Sequence, residues 1–364
     1  MKNYVQSVFQ TLHATPEPAF QETKTAAFLA RELKQMGYTV ETGLAQTGIR
    51  AEWDTGKEGP VFGIRADMDA LPYEIDGRTC YRHTCGHDAN ASMALSAAKR
   101  LIEEGIGCGK LVFLFQPAEE IGQGARAMIQ TGRFHDLTHL VGLHIRPRQD
   151  CQTGEAAPAV FFSAAAPTKI SISGVSAHGA RPHEGINAVE AAVSIANAVA
   201  QIKGNPNISH SVKVTKINTG AGASNAIPDA AEMGIDARSE DNAEMERIRA
   251  QLVTAIPKAG TANGATVDFS VGFMPATEYD EELTALCADA ISDVLGEKGL
   301  IPPIHNPGSE DFAYYARELG IKTAYIGIGA DASPGLHHKE MTFNHDALVH
   351  GEDILVKIVH RMLG

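Results

Sequence analysis

The apolar pattern changes period along the chain. Residues 3–13 and 22–36 carry apolar positions at helical spacing. In the second stretch Phe28, Leu29, Leu33 and Met36 share one side, and Gly37 is the stop. Pro16 and Pro18 mark the loop between them, and residues 44–54 read as a strand or hairpin. From Val61 the pattern shortens. Residues 61–64 are a compact apolar run, as in a strand buried on both faces, and Asp67 and Asp69 follow it. A helix is predicted over 89–104, with Met93, Leu95, Ala98 and Leu101 as its apolar positions. A second buried strand follows at 110–115, and Glu119 and Glu120 lie just past its end. After a short helix over 124–130, a third strand at 139–144 closes on His144. This alternation predicts an α/β fold with a mixed, mainly parallel sheet flanked by helices. Its polar clusters fall at the carboxyl ends of the strands, where open α/β sheets bind ligands.

Residues 150–166 are rich in alanine, proline and glycine and read as a linker. A different unit follows. Residues 168–174 alternate like a strand, 187–202 are helical, 209–217 and 231–237 alternate, 241–257 are helical and 265–273 are a strand. The order β-α-β-β-α-β is that of the ferredoxin-like split unit. A ferredoxin-like α+β domain is therefore expected at residues 167–274, inserted into a discontinuous domain made of 1–166 and 275–364. In the latter, helices are expected at 281–295, 310–319 and 345–362, with a strand at 323–328.

Composition narrows the field. A chain of 364 residues points to two domains. A formal net charge of −13 opposes a nucleic-acid partner, which needs a basic surface. No charged and apolar leader opens the chain, so no signal peptide is expected. No apolar run approaches the ~20 residues of a membrane span. Cys80, Cys85, Cys108, Cys151 and Cys287 are scattered and do not read as a disulfide framework, which favours a cytoplasmic location.

The candidate chemistry lies in four polar clusters. Cys85 and His87 are one residue apart, so one tight turn can bring a thiolate and an imidazole to one metal site. By itself the pair reads equally well as a buried cysteine and a helix-capping histidine. In Glu119-Glu120 one carboxylate can bind metal while the other carries a proton; the bland reading is a solvated acidic loop. The apolar strand and Pro117 before the pair argue for the sheet edge instead. His144, on an apolar strand, reads alone as a satisfied core histidine. His337 sits in Gly335-Leu-His-His-Lys339, otherwise a polar surface loop, with His338 its bystander.

Taken together, the motifs resemble the zinc-dependent aminoacylase and carboxypeptidase-G-like metallopeptidase family. The similarity is to the branch of hippurate, indole-acetyl-amino-acid and aminobenzoyl-glutamate hydrolases. The resemblance rests on Arg65-Ala-Asp-Met-Asp-Ala-Leu-Pro72, Cys85-Gly-His-Asp88, Phe115-Gln-Pro-Ala-Glu-Glu120, Gly142-Leu-His144, Ser176-Ala-His-Gly-Ala180, Ser224-Asn-Ala-Ile-Pro228, Gly308-Ser-Glu-Asp-Phe312 and Gly335-Leu-His337. These occur in family order over essentially the whole chain. The resemblance implies two divalent ions held by Cys85, His87, Glu120, His144 and His337, with zinc favoured and manganese, cobalt or nickel as alternatives. It implies Glu119 as general base acting on a metal-bridged water. The inserted domain becomes a lid and homodimerisation domain, whose His178 stabilises the oxyanion and whose Asn225 and Arg238 contact substrate. The implied reaction is hydrolysis of N-acyl amino acids to a carboxylate and an amino acid.

Asp67, Asp69 and Asp88 are candidates to orient histidine ligands; His83 has no assigned role. Ile121-Gly-Gln-Gly124 and Lys339-Glu-Met-Thr-Phe-Asn344 depart from the family pattern without touching a ligand, which bears on substrate identity. Two rival readings remain: a dipeptidase or aminopeptidase of the same superfamily, and a metal-independent thiol hydrolase with Cys85 as nucleophile.

Overall fold

The computed structural model describes residues 2–220 and 222–364. The chain divides into two compact units. The first comprises Met1–Phe161, Glu278–His305 and Glu310–Gly364; the second comprises Phe162–Thr277 and Asn306–Ser309.

The first unit is built on a seven-stranded sheet. Its spatial order is Thr39–Leu44, Gly48–Asp54, Lys110–Gln116, Val61–Asp67, His139–Pro147, Lys322–Ala332 and Ala156–Ala157. The strands from Lys110–Gln116 to Lys322–Ala332 run parallel to one another, and the outer strands are antiparallel. Residues alternate between faces. Phe113, Phe115, Ile64, Val141 and Leu143 join a core with the helices Lys2–His13, His87–Glu104 and Asp346–Leu363. Val112 and Leu114 point to the opposite face and are equally buried. Burial on both sides explains why these strands read as continuous apolar runs and not as alternation. Helix His87–Glu104 is buried from His87 to Ala98 without interruption. Its alanines let neighbouring elements approach closely; burying a single larger side chain such as Leu95 contributes roughly 1.5–3 kcal/mol.

The second unit carries an antiparallel sheet in the order Thr266–Val271, Thr168–Ser173, Ala230–Ser239, His210–Asn218. Helices Ala188–Ala200 and Asn242–Thr261 pack on it around Ile170, Ile172, Met233, Ile235, Ile195 and Leu252. This is the ferredoxin-like arrangement, with the two β-α-β halves interleaved. Each helix opens on a side-chain cap: Asn187 accepts from the Val189 N–H and Asp241 from the Glu244 N–H.

Several local expectations change. The segment read as a linker contributes short strands: Ala156–Ala157 pairs with Lys322–Ala332, and Ala164–Ala165 pairs with Ala230–Ser239. Two-residue strands are too short to repeat the two-residue strand period, so only their partners reveal them. Residues 71–82 form a hairpin, Leu71–Ile75 with Arg78–Arg82, that the pattern did not announce. Helix Asn242–Thr261 continues through Pro257, where the sequence predicted a stop. Ile256 and Gly260 are buried on either side of it, and this packing outweighs the lost backbone bond. The helix expected from 310 begins at Ala313, because Glu310 and Asp311 are turned inward to a buried arginine.

Candidate metal centre

The order of the parallel strands creates the site. From Val61–Asp67 the chain crosses to Lys110–Gln116 on one side, then to His139–Pro147 on the other. A crevice opens at the carboxyl ends where the winding reverses. Asp69 lies just beyond the first strand, Glu119 and Glu120 just beyond the second, and His144 on the third. Cys85 and His87 arrive on the turn that starts helix His87–Glu104, and His337 on the loop after Lys322–Ala332. Gly86 makes that turn possible. Its φ of 96° is left-handed, and a Cβ there would sit 2.4 Å from Ile145 Cδ1. Ala118 (φ 57°) and His337 (φ 66°) hold left-handed conformations without being glycine, a strain that surrounding contacts must offset.

The donors from these segments converge. Cys85 Sγ lies 3.4 Å from His144 Nε2 and 3.3 Å from His337 Nε2. Glu120 Oε2 is 3.5 Å from His337 Nε2. His87 Nε2 is 3.8 Å from both Glu119 Oε2 and Glu120 Oε1. His87 Nε2 and Glu120 Oε1 are buried and have no hydrogen-bond partner. Buried polar atoms are rarely left so. Two donors about 2.0–2.3 Å from one tetrahedral ion are themselves roughly 3.3–3.8 Å apart, the spacing seen here. Thiolate, imidazole and carboxylate together suit zinc and its neighbours. The groups present therefore fit metal.

The sequence profile of peptidase family M20/M25/M40 matches residues 63–361. The chain belongs to this family. Among relatives, N-acetyl-L-cysteine deacetylase of Bacillus subtilis is 31% identical over 97% of this chain and 86% of its own length. An IAA-amino acid hydrolase of Arabidopsis thaliana is 28% identical over 99% of this chain and 86% of its own length. Among solved structures, a candidate aminohydrolase from methicillin-resistant Staphylococcus aureus superposes with a TM-score of 0.88, at 28% identity. That match covers 100% of this chain and 97% of the other. Like other M20 members, the chain is a metal-dependent hydrolase of amide bonds.

The M20 centre rests on a second layer of contacts. Asp69 accepts from His87 Nδ1 at 3.1 Å and from the N–H groups of Glu119 and Glu120 at 3.1 and 3.0 Å. One carboxylate thus fixes a ring and the neighbouring acidic turn together. His144 donates from Nδ1 to the Ile145 carbonyl at 2.6 Å, which turns Nε2 toward Cys85. Asp67 accepts from Asn90 at 2.9 Å and from Arg65 at 2.6 Å. Arg65 is fully buried and also donates to Gln116, Glu310 and Asp311. Tyr325 donates to Glu310 at 2.8 Å. Tyr73 donates to the His337 carbonyl at 2.8 Å, and its hydroxyl lies 2.6 Å from that of Thr84, beside Cys85. Arg65, Gln116, Glu310 and Asp311 stand in the sequence motifs without a role. The available signal was a charged residue inside an apolar strand, which must be paired if it is buried. His83 is buried with neither ring nitrogen partnered, and His338 is exposed.

Electrostatics follow from this crowding. Burial, then the Glu310 and Asp311 carboxylates, push Glu119 well above the ordinary carboxylate range. Burial lifts Glu120 to about 7, against the pull of His87. Burial lowers His144 to about 3, leaving the ring neutral and able to ligate. Burial opposes the Asp67 charge, but His87 and Arg65 outweigh it and bring the group to about 2. Burial and then Glu120 hold the Cys85 thiol well above its usual range.

In the second unit, His178 pairs with Ala226 across a short strand pair, and the Gly179 N–H donates to the Asn225 carbonyl at 2.7 Å. His178 and Asn225 are thus neighbours, and both are exposed. Arg238 is half-buried and engaged within the unit. Its Nε donates to both oxygens of Asp236, and its Nη1 to Ser309 Oγ at 2.9 Å.

Proposed function

We propose that this chain is a dinuclear amidohydrolase that cleaves N-acyl amino acids into a carboxylate and a free amino acid. The observation that carries the reading is the meeting of Cys85, His87, Glu120, His144 and His337, with two of their buried donor atoms left unpartnered. The activities of the Bacillus and Arabidopsis relatives, each directed at an acylated amino acid, support the substrate class. In this reading those residues hold two divalent ions. Zinc is preferred because a thiolate is among the ligands.

Divalent ions there would polarise the amide carbonyl and bring the pKa of water towards neutrality. The remaining steps belong to the protein. Glu119, beside the ligands and not needed to hold them, takes the proton of the attacking water. It then passes that proton to the departing amine. Residues 1–166 and 275–364 act as the catalytic domain, and residues 167–274 as a lid and homodimerisation domain. His178 stabilises the developing oxyanion, a role typically worth about 3–4 kcal/mol. Asn225 and Arg238 contact the substrate; for Arg238 this requires release from Asp236. The enzyme is taken to be cytoplasmic; no described helix is long and apolar enough to cross a membrane.

The rival use of Cys85 as nucleophile is disfavoured. A reactive thiol sits where its pKa is depressed, and burial and Glu120 push this one up. The deciding experiment is a hydrolysis panel of N-acetyl, N-benzoyl and N-indolylacetyl amino acids, with free dipeptides beside them. Metal-stripped and reconstituted protein would be compared. Turnover of the N-acyl substrates should vanish on stripping and return with metal. Activity that survives stripping refutes the metal reading, and a strict need for a free α-amine moves the chain to the dipeptidases.

A further inference from the structure

The end of the first helix and the segment that follows it touch the chain beside three of the groups at the metal centre, Asp69, His87 and Glu119. The Ala70 N–H donates to the Glu17 carbonyl at 2.9 Å, one residue from Asp69. His13 Nδ1 donates to Asp88 Oδ2 at 2.6 Å, one residue from His87. The Ala118 N–H donates to Glu22 Oε1 at 3.0 Å, one residue from Glu119. Asp69 already ties the His87 ring to the acidic turn through side-chain contacts; residues 13–22 add a second tie, made beside the same residues.

The segment is itself rigidly held. The Glu17 carboxylate accepts from the N–H groups of Lys24 and Thr25, both at 2.9 Å, at the start of helix Thr23–Met36. Glu22 is fully buried and also accepts from Thr47 Oγ1 at 2.6 Å and the Phe20 N–H at 3.1 Å. Its bond to Ala118 holds a residue in the left-handed region immediately before the Glu119-Glu120 pair. Asp88, in turn, is buried and accepts from the Ala89 N–H at the first turn of the helix that carries His87.

We propose that residues 13–22 form a brace that sets the geometry of the metal donors, with His13 and Glu22 as its positioning residues. Neither is a donor. Each fixes the backbone beside one, and donor sets tolerate displacements of only about half an ångström. This inference rests on the metal-site reading above.

The test uses Co²⁺ as the probe on the full chain, comparing His13→Ala, His13→Asn, Glu22→Ala and Glu22→Gln with the unsubstituted protein. Affinity is read by competition with a chelator, and donor geometry by the visible and thiolate-to-cobalt absorption bands. The alanine variants should lose about 10–100-fold in Co²⁺ affinity and show shifted bands. Asn can present a nitrogen donor to Asp88, and Gln an oxygen to Ala118, so these variants should recover most of the loss. A folded His13→Ala protein with unchanged affinity and spectrum would overturn the brace, as would Asn and Gln variants that recover nothing. Should Glu22→Ala fail to fold, the half-exposed His13 pair decides alone. If the unsubstituted protein binds no Co²⁺, the metal reading fails and the brace with it, an outcome distinct from equal binding by all variants.

Discussion

Arg65 shows what one side chain carries. It is wholly buried and paired to Asp67, Glu310 and Asp311, so its charge is costly unless every partner stays in place. Arg65→Ala would leave those carboxylates buried without their cation. We expect a loss of about 3–5 kcal/mol in urea unfolding; a loss below 1 kcal/mol would mean that the carboxylates take up protons at little cost. Glu119 is the complementary case, a residue whose backbone N–H is tied to Asp69 at 3.1 Å while its carboxylate is the one proposed to carry the proton. Glu119→Gln should retain metal by elemental analysis while kcat falls about 10²–10⁴-fold. Persistent turnover would remove Glu119 from the proton path. At this scale the sequence singled out the candidate donors, because thiol, imidazole and paired carboxylates stand out in motifs, and the structure brings them together. It said little of their supports. The roles of His13 and Glu22 depend on Asp88 and on the Ala118 N–H, far along the chain, and spacing carries no trace of them.

Elements follow from local rules where those rules are strong. Asp241 stands just before helix Asn242–Thr261, and its Oδ1 accepts from the Glu244 N–H at 2.7 Å. Asp241→Ala should cost the second unit about 1 kcal/mol, read as a lowered midpoint in chemical denaturation; no change would show that solvent satisfies the Glu244 N–H equally well. Where local rules are weak, neighbours decide. The strands Ala156–Ala157 and Ala164–Ala165 exist because a partner edge offers hydrogen bonds, not because of any apolar period. Pro257 inside helix Asn242–Thr261 is the reverse case, a local stop overruled by burial on both sides.

For the molecule as a whole, acid stability depends on contacts between distant parts of the first unit. Arg50, on strand Gly48–Asp54, donates to both oxygens of Asp136 at 2.7 and 2.6 Å, a bidentate pair. That hydrogen bonding lowers the Asp136 pKa below its ordinary 3.8. A depressed carboxylate stabilises the fold above its unfolded pKa, and this contribution fades as pH falls through the folded value. The advantage of the unsubstituted protein over Asp136→Asn should therefore hold at pH 6 and shrink below about pH 4. Equilibrium unfolding at several pH values would measure it, and a gap independent of pH would rule the pair out as a contributor.

The sequence by itself determined the α/β alternation, the β-α-β-β-α-β order of the insertion and the candidate donors for a metal centre. Each is written in short-range signals: hydrophobic period, cap and motif. The tertiary structure decided which nitrogen and oxygen atoms meet, and at what spacing. It also decided how Asp69 binds a histidine ring to the acidic turn, and how the segment before the second helix reaches the three loops around them. These contacts join positions up to 252 residues apart, as between Cys85 and His337. Only the order of strands in the sheet brings such positions to one crevice.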